Sequence, residues 1–370
     1  MRGEIFVKVK WDPLYSITDK IATDLITIEK IRVQVENAQI PLSSLARIRE
    51  SARIRSTHFS TQIEGNRLTL QEARDVVNSQ RVTQEKARDA REVKNYWDAL
   101  LKIEEWAKEL RPFDEYVIKK THSIVEKGLR EKPSEYRSEQ NVIRDSLTNA
   151  IIYLPPEAKD VPELMGGLVN WEHEARNKTP VPLIAALVHY QFVTIHPFYD
   201  GNGRTARLLS TFILQRGGYG LNGIYSLEEY HASDLQLFYN SLVTHPHHNY
   251  YEGREKADLT GWVGYFVELL AKVFEAAGKE VLAQGAIPSD PMLLRRLDHR
   301  QKNVLSMFSS RDSLTVRELA HNNLGLSNRM VRNIVNKWVQ EGFLEVLDPS
   351  NKNRRYGLSE IYRQFIGNDN

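Results

Sequence analysis

The chain has 370 residues, with 50 Lys/Arg against 48 Asp/Glu, a net charge of +2, 41% hydrophobic residues and no cysteine. That size suits two or three domains of a globular protein, and the balanced charge points to no polyanionic partner for the chain as a whole. Without cysteine there are no disulfides and no thiol intermediate, in keeping with a cytoplasmic protein. No apolar run approaches ~18 residues and no charged start leads into an apolar stretch, so neither a membrane helix nor a secretion signal is expected.

Residues 1–110 read as a charged, helical N-terminal region. Trp11-Asp12-Pro13 marks a turn before a helix with the stripe Ile21, Leu25, Ile28, Ile31 and Val35, a spacing that packs one face. A second helix is expected over 41–63. Ser60 and Glu64 fall four residues apart on one side of it, with Gly65 as its stop. Between Tyr136 and Pro156 the pattern changes. Val142-Ile143 and Ile151-Ile152-Tyr153-Leu154 read as two short strands, with the turn in Asp145 to Asn149.

Pro180-Val181-Pro182 then opens an almost continuously apolar run, Leu183 to Ile195, long enough for a buried helix. It is followed by His196-Pro197-Phe198-Tyr199-Asp200-Gly201-Asn202-Gly203-Arg204-Thr205-Ala206-Arg207. A new helix is expected to begin near Gly203 and run to Gln215, with Gly217-Gly218 as its left-handed stop. Its free backbone N–H groups and positive end make an anion site. Gly201 and Gly203 can take positive φ and admit phosphate oxygens to the backbone, and Asn202 can add a side-chain donor. Arg204 and Arg207, three apart, share a face on which two guanidinium forks can bind different phosphate oxygens. Asp200 is a hard oxygen ligand suited to magnesium, and His196 is a base for neutral pH. Each element alone is common in turns and helix ends; together in twelve residues they point to a nucleotide site.

Downstream, Tyr225 to Val243 reads as loop and then helix, with Leu235, Leu237, Phe238, Tyr239 and Leu242 apolar. His245-Pro246-His247-His248 is too tightly spaced for a helical metal pair and reads as a polar loop. Residues 284–292 form a linker. From Leu293 onward thirteen Lys/Arg face eight Asp/Glu, a local charge of +5 that leaves −3 for the rest. Helices are expected over 293–308, 315–322 and 327–341, with a turn at Leu324-Gly325-Leu326, Ser327 as the last helix's cap and Val331, Ile334, Val335 and Trp338 on its apolar face. Phe343 to Leu347 and Arg354 to Leu358 read as a two-stranded hairpin. This order resembles a winged helix-turn-helix domain. In that reading Asn328, Arg329, Arg332, Asn333 and Lys337 would face a DNA groove and Arg354 and Arg355 would reach phosphates, with a protein contact as the alternative.

The twelve-residue stretch is similar to the signature of the Fic (Fic/Doc) family, His-Pro-Phe-x-Asp/Glu-Gly-Asn-Gly-Arg-x-x-Arg, with every defined position filled. The resemblance implies a mainly α fold with a small β-hairpin flap and a Fic core at 111–283, with the winged-helix reading of 293–370 beside it. It also implies transfer of AMP from ATP to a Ser, Thr or Tyr hydroxyl of a target protein, releasing pyrophosphate. His196 would take the proton, Asp200 would hold Mg²⁺, and Gly201, Asn202, Gly203 and Arg204, with Thr205 and Ala206 beside them, would hold phosphates. Arg207 would bind the γ-phosphate, and Tyr239 would lie near the adenine. The 136–156 hairpin resembles the flap that aligns a target by strand addition. Ser60 to Gly65 resembles the family's inhibitory Ser/Thr-x-x-x-Glu-Gly/Asn motif, which implies that Glu64 pairs with Arg207 and restrains the enzyme. A homodimer that buries this helix fits the same picture. Two alternatives stand: transfer of UMP or phosphocholine, or removal of AMP by a water that Glu64 orients; and a DNA-binding regulator whose Fic part only senses nucleotide.

Overall fold

The computed structural model describes residues 10–38, 40, 42–78, 84–129, 135–144, 149–283, 297–308, 311–323, 328–348, 350 and 354–363. The expected linker at 284–292, the first helical residues from Leu293, the hairpin turn at 145–148, the turn at 324–326 and the Ser327 cap lie outside them. By contact the chain divides into two compact units, one made of Met1–Val33 and Ser51–Ala277, the other of Gln34–Glu50 and Gly278–Asn370.

The first unit is helical. α1 (Asp19–Asn37) and α2 (Leu42–Ile63) are followed by α3 (Leu70–Val77), α4 (Ala87–Lys108) and α5 (Glu115–Val125). Thr69 and Glu72 form a reciprocal capping box on α3, and Asp114 accepts from Val117 N–H to start α5, so each start is set by a polar side chain that satisfies an orphan amide. After a hairpin come α6 (Val161–Ala175), α7 (Val181–Ile195) and α8 (Asn202–Arg216). α7 is apolar on all sides because it is surrounded: Leu183, Ala185, Leu187, Val188, Phe192 and Ile195 are fully buried. α8 packs on α7 and also on α4 and α5, which makes the N-terminal helices part of the same core as the loop between α7 and α8. α9 (Leu227–Ser233), α10 (Leu235–Ser241) and α11 (Thr260–Ala283) complete it. The single helix expected before Val243 is thus two, separated at Asp234 by extended backbone (φ −141°, ψ 76°). Only Phe238 of its apolar set is buried, while Leu237 and Tyr239 are exposed.

The hairpin consists of β1 (Ile143–Arg144) and β2 (Ile151–Tyr153), paired antiparallel. Leu154 leaves it to bridge Asn249, and Leu154 N–H donates to the His248 carbonyl at 2.7 Å. The polar loop at 245–248 therefore anchors the hairpin's base, with His248 Nδ1 donating to the Ile152 carbonyl at 2.8 Å.

In the second unit the described helices, besides the end of α1, the start of α2 and the end of α11, are α12 (His299–Met307), α13 (Val316–Asn323), α14 (Asn328–Gln340) and α15 (Glu360–Arg363). They surround a core of Val304, Leu305, Leu319, Val331, Val335, Trp338, Phe343, Leu344 and Tyr356. Its sheet has three strands in the order β3 (Leu314–Thr315), β5 (Arg355–Leu358), β4 (Leu344–Asp348), all antiparallel. The sequence reading took Thr315 as helix and missed β3. Thr315 instead pairs with Arg355 and caps α13 through Glu318, a pattern that reads as a helix start because the strand before it is only two residues long. No helix among the described residues is long and apolar enough to cross a membrane.

Candidate active site

The segment between α7 and α8 is built from the outside in. α7 ends on His196 in the left-handed conformation, φ 53° and ψ 58°. That costs a non-glycine residue roughly 1–2 kcal/mol and turns the chain sharply. Pro197 follows and blocks helix continuation. Phe198 is fully buried, with its ring stacked 3.6 Å from that of His122 at an interplanar angle of 4°. His122 Nε2 donates to the Asp200 carbonyl at 3.1 Å, so α5 holds the loop from below. Asn202 closes it: Phe198 N–H donates to Asn202 Oδ1 at 3.0 Å, and Asn202 Nδ2 donates to the Phe198 carbonyl at 2.8 Å. Asn202 thus clasps the loop with one of its two amide hydrogens and with its oxygen.

Gly201 is left-handed (φ 71°) and is the N-cap of α8, with no side chain capping the helix. A Cβ there would lie 2.6 Å from Glu126 Oε1. Gly203 does not take the expected positive φ, because it is already inside the helix; a Cβ there would lie 2.2 Å from Glu64 Oε1. Its smallness serves close approach, and the atom that approaches is a carboxylate. At the far end of α8 the left-handed residue is Gly218 (φ 85°), while Gly217 has φ −81°.

The two arginines of the segment face different carboxylates. Arg204 donates to Glu126 at 2.9 Å, with side-chain exposures of 5% and 2%, and its Nη2 lies 3.8 Å from Asp200 Oδ1. Arg204 Nε and Nη1, and the hydroxyl of fully buried Thr205, have no hydrogen-bond partner among the described residues. Buried donors of this kind are expected to be satisfied, so three of them at the start of α8 mark a place for acceptor oxygens. Ala206 is buried behind them. Arg207 turns to α2: its Nε donates to Ser60 Oγ, and its Nη2 to the Ser60 carbonyl and to Glu64 Oε1, each at 2.8 Å. Gly65 ends α2 with φ 91°. Tyr239, half exposed, donates to the Ile63 carbonyl at 3.4 Å and so stands beside the same helix end.

His196 is only partly buried by its surroundings. Burial nevertheless holds its imidazole down to about 4, helped by the charge of Arg137 and opposed by a Val193 carbonyl contact and by Glu64 and Asp200. Nδ1 sits 3.3 Å from that carbonyl, so the proton belongs on Nδ1 and Nε2 keeps its lone pair. Asp200 accepts from Gly201 N–H at 2.7 Å and is 44% exposed at its side chain. A single hard carboxylate open to solvent is a donor set that would suit magnesium.

Sequence reading missed Glu126, His122 and Arg137. For Glu126 a signal existed, since it follows the C-terminal end of α5, where the helix dipole disfavours an acid. No local pattern marked the other two.

Residues 112–214, which include this loop, match the model of the Fic/DOC family. By that match the chain carries a domain similar to those of the family. It is 29% identical over 205 residues to the protein adenylyltransferase Fic of Drosophila virilis, an overlap of 53% of this chain and 39% of that protein. With the Drosophila melanogaster protein of the same name it shares 30% over 186 residues, or 48% and 35% of the two chains. The chain thus spans about two fifths of the length of these curated relatives. The crystal structure of a Fic family protein from Desulfovibrio desulfuricans G20 superposes with a TM-score of 0.60 at 25% identity, covering 95% of this chain and 99% of that one. Fic-1 from C. elegans, residues 134–508, superposes at 0.57 with 25% identity over 71% and 72% of the two chains.

Proposed function

We propose that the protein transfers AMP from ATP to a hydroxyl side chain of a target protein, and that Glu64 restrains it. The acceptor oxygen attacks the α-phosphorus and the bond to the β-phosphate oxygen breaks. The hydroxyl proton passes to Nε2 of His196, and pyrophosphate leaves. The unpartnered donors of Arg204 and Thr205 at the start of α8 carry this reading, together with a neutral, correctly tautomeric His196 at the other end of the loop. Transfer of this type depends on positioning and charge neutralisation rather than on an enzyme nucleophile. Asp200 would hold a magnesium ion completed by phosphate oxygens and water, and the ion would neutralise charge on the phosphates.

Glu64 supports the inhibitory half of the proposal. Its Oε1 bonds Arg207 and lies over Gly203, the ground that a γ-phosphate would need. Like charges do not share such a place, so Glu64 and a productively held triphosphate exclude one another. Intact mass after incubation with magnesium and ATP tests both halves. An AMP adduct is expected on Glu64→Gly, little on the parent and none on Glu64→Gly/His196→Ala. No adduct on any of them, despite ATP binding, overturns the transferase reading.

For the second unit we propose duplex DNA as a partner through a winged-helix arrangement. Arg329, Arg332 and Lys337 are exposed on α14, and neither Arg329 nor Arg332 has an ion pair among the described residues. Arg354 and Arg355 are exposed at the strand edge, although Arg355 donates to Ser313 and Arg354 lies over Tyr356. Absence of a gel shift at low salt, where phosphate contacts are strongest, would contradict it.

A further inference from the structure

Arg137 is 2% exposed, and no described carboxylate pairs with it. Burying a guanidinium without an acid is costly unless every donor is used. Here the donors go to backbone carbonyls. Nε donates to His196 O at 3.0 Å, Nη2 to Pro156 O and, at 3.4 Å, to Ile195 O, and Nη1 to Glu139 O at 3.3 Å. Its own N–H donates to the Pro197 carbonyl at 2.9 Å.

Those acceptors belong to two separate places. Ile195 and His196 are the last residues of α7, where carbonyls collect the negative end of the helix dipole and suit a cation. Glu139 and Pro156 belong to the two legs of the β1–β2 hairpin. Neighbouring bonds repeat the connection. Ser138 and Glu139 N–H both donate to Tyr199 Oη, at 3.0 and 3.1 Å, and Asn141 Nδ2 donates to the Phe198 carbonyl at 3.2 Å. The hairpin stem is therefore tied to the loop that carries the base, and the Arg137 guanidinium reaches carbonyls of both.

We propose that Arg137 is a positioning residue that couples the β1–β2 hairpin to His196, so that a target segment docked on the hairpin and the base that takes its proton share one frame. The guanidinium holds the carbonyl of the left-handed residue itself, which is the backbone that sets where the imidazole stands. A lysine in its place would keep the charge but lack the planar fork that spans both sets of carbonyls. The proposal rests on the transferase reading for its meaning, though not for its test.

The test uses the full chain in the Glu64→Gly background, with Arg137→Lys and Arg137→Met. ATP affinity, single-turnover transfer of labelled AMP to the chain itself, and hydrogen exchange are measured on each. ATP affinity is expected to stay within about threefold of the parent. The transfer rate is expected to fall on the order of 100-fold for Arg137→Met, since misplacement of a reacting group by about 1 Å costs that much, with Arg137→Lys between the two. Exchange is expected to rise together in 193–201 and 152–157 and to stay unchanged in α4. A rate loss that only follows lost ATP affinity and a lower melting temperature would overturn the proposal in favour of mere fold support. Exchange that rises in one segment without the other would also overturn it. Should Arg137→Met fail to fold, Arg137→Lys decides. If the Glu64→Gly parent transfers no AMP, the transferase reading has failed, and the exchange measurement still decides the coupling.

Discussion

Glu126, at the C-terminal end of α5, and Glu64, just past α2, each reach an arginine on the first turns of α8, and their surroundings differ in the way that matters. Glu126 and Arg204 are exposed by only 2% and 5%, and Glu126 also backs Gly201. Glu64 keeps a third of its side chain in solvent while Arg207 is buried. A sealed pair cannot be opened without leaving an uncompensated charge inside the protein; a half-exposed glutamate can leave for water. The first pair is therefore a fixture of the loop and the second a removable contact. Arg207 retains Ser60 Oγ and the Ser60 carbonyl when Glu64 goes.

Substitutions sharpen this contrast. The largest effect falls on the chemistry itself: His196→Ala in the Glu64→Gly background should cut AMP transfer by 10²–10⁴-fold, roughly the contribution of a positioned base, with ATP affinity kept. Transfer within tenfold of the parent would remove His196 from its role. Glu126→Ala should cost about 3–5 kcal/mol, as expected for a buried ion pair deprived of one partner. Glu64→Ala should cost less than Glu126→Ala, because the buried Arg207 keeps its two bonds to Ser60. Equal losses in denaturant titrations would erase the distinction between the two pairs.

Smaller effects follow from pH. His196 is inactive as a base when protonated, and burial holds it at about 4, so transfer should stay level from about pH 7.5 down to 5.5 and fall only with a midpoint below 5. A midpoint between 6 and 7 would mean an ordinary, hydrated histidine. Stability should move as well. His231 is held at about 3, chiefly by burial and then by Arg207, and His189 is likewise pushed well down by burial. Below the unfolded value of ~6.5 the unfolded chain binds protons that the folded chain refuses, so stability is lost as pH falls toward 4. Each such histidine contributes up to about 1.4 kcal/mol per pH unit. The drop in melting temperature between pH 7 and 5 should be smaller in His231→Gln than in the parent.

Much of this was legible in the chain alone. The apolar run before His196, the glycine after α2 and the Ser60–Glu64 spacing specify local geometry, and local geometry is what periodicity and turn chemistry report. The Glu64–Arg207 contact joins residues 143 positions apart. It was expected from family resemblance, because spacing within α2 says nothing of what lies opposite. Errors fell where one residue type serves two purposes. Gly203 reads as a turn glycine and is a helix residue with a carboxylate at its back, and Asn202 carries a loop clasp that its reading as a donor did not include. His122, Glu126 and Arg137 act through the loop from other elements, and only tertiary structure brings them there.

The measurement that bears most directly on the central claim is ATP affinity and AMP transfer for the parent and Glu64→Gly, made side by side on the full chain. If Glu64 is a removable brake on a built site, the variant should gain at least about tenfold in transfer, the equivalent of ~1.4 kcal/mol, while its melting temperature barely changes. Equal transfer in the two proteins would contradict the account and reduce the Glu64–Arg207 contact to one more ion pair of the fold.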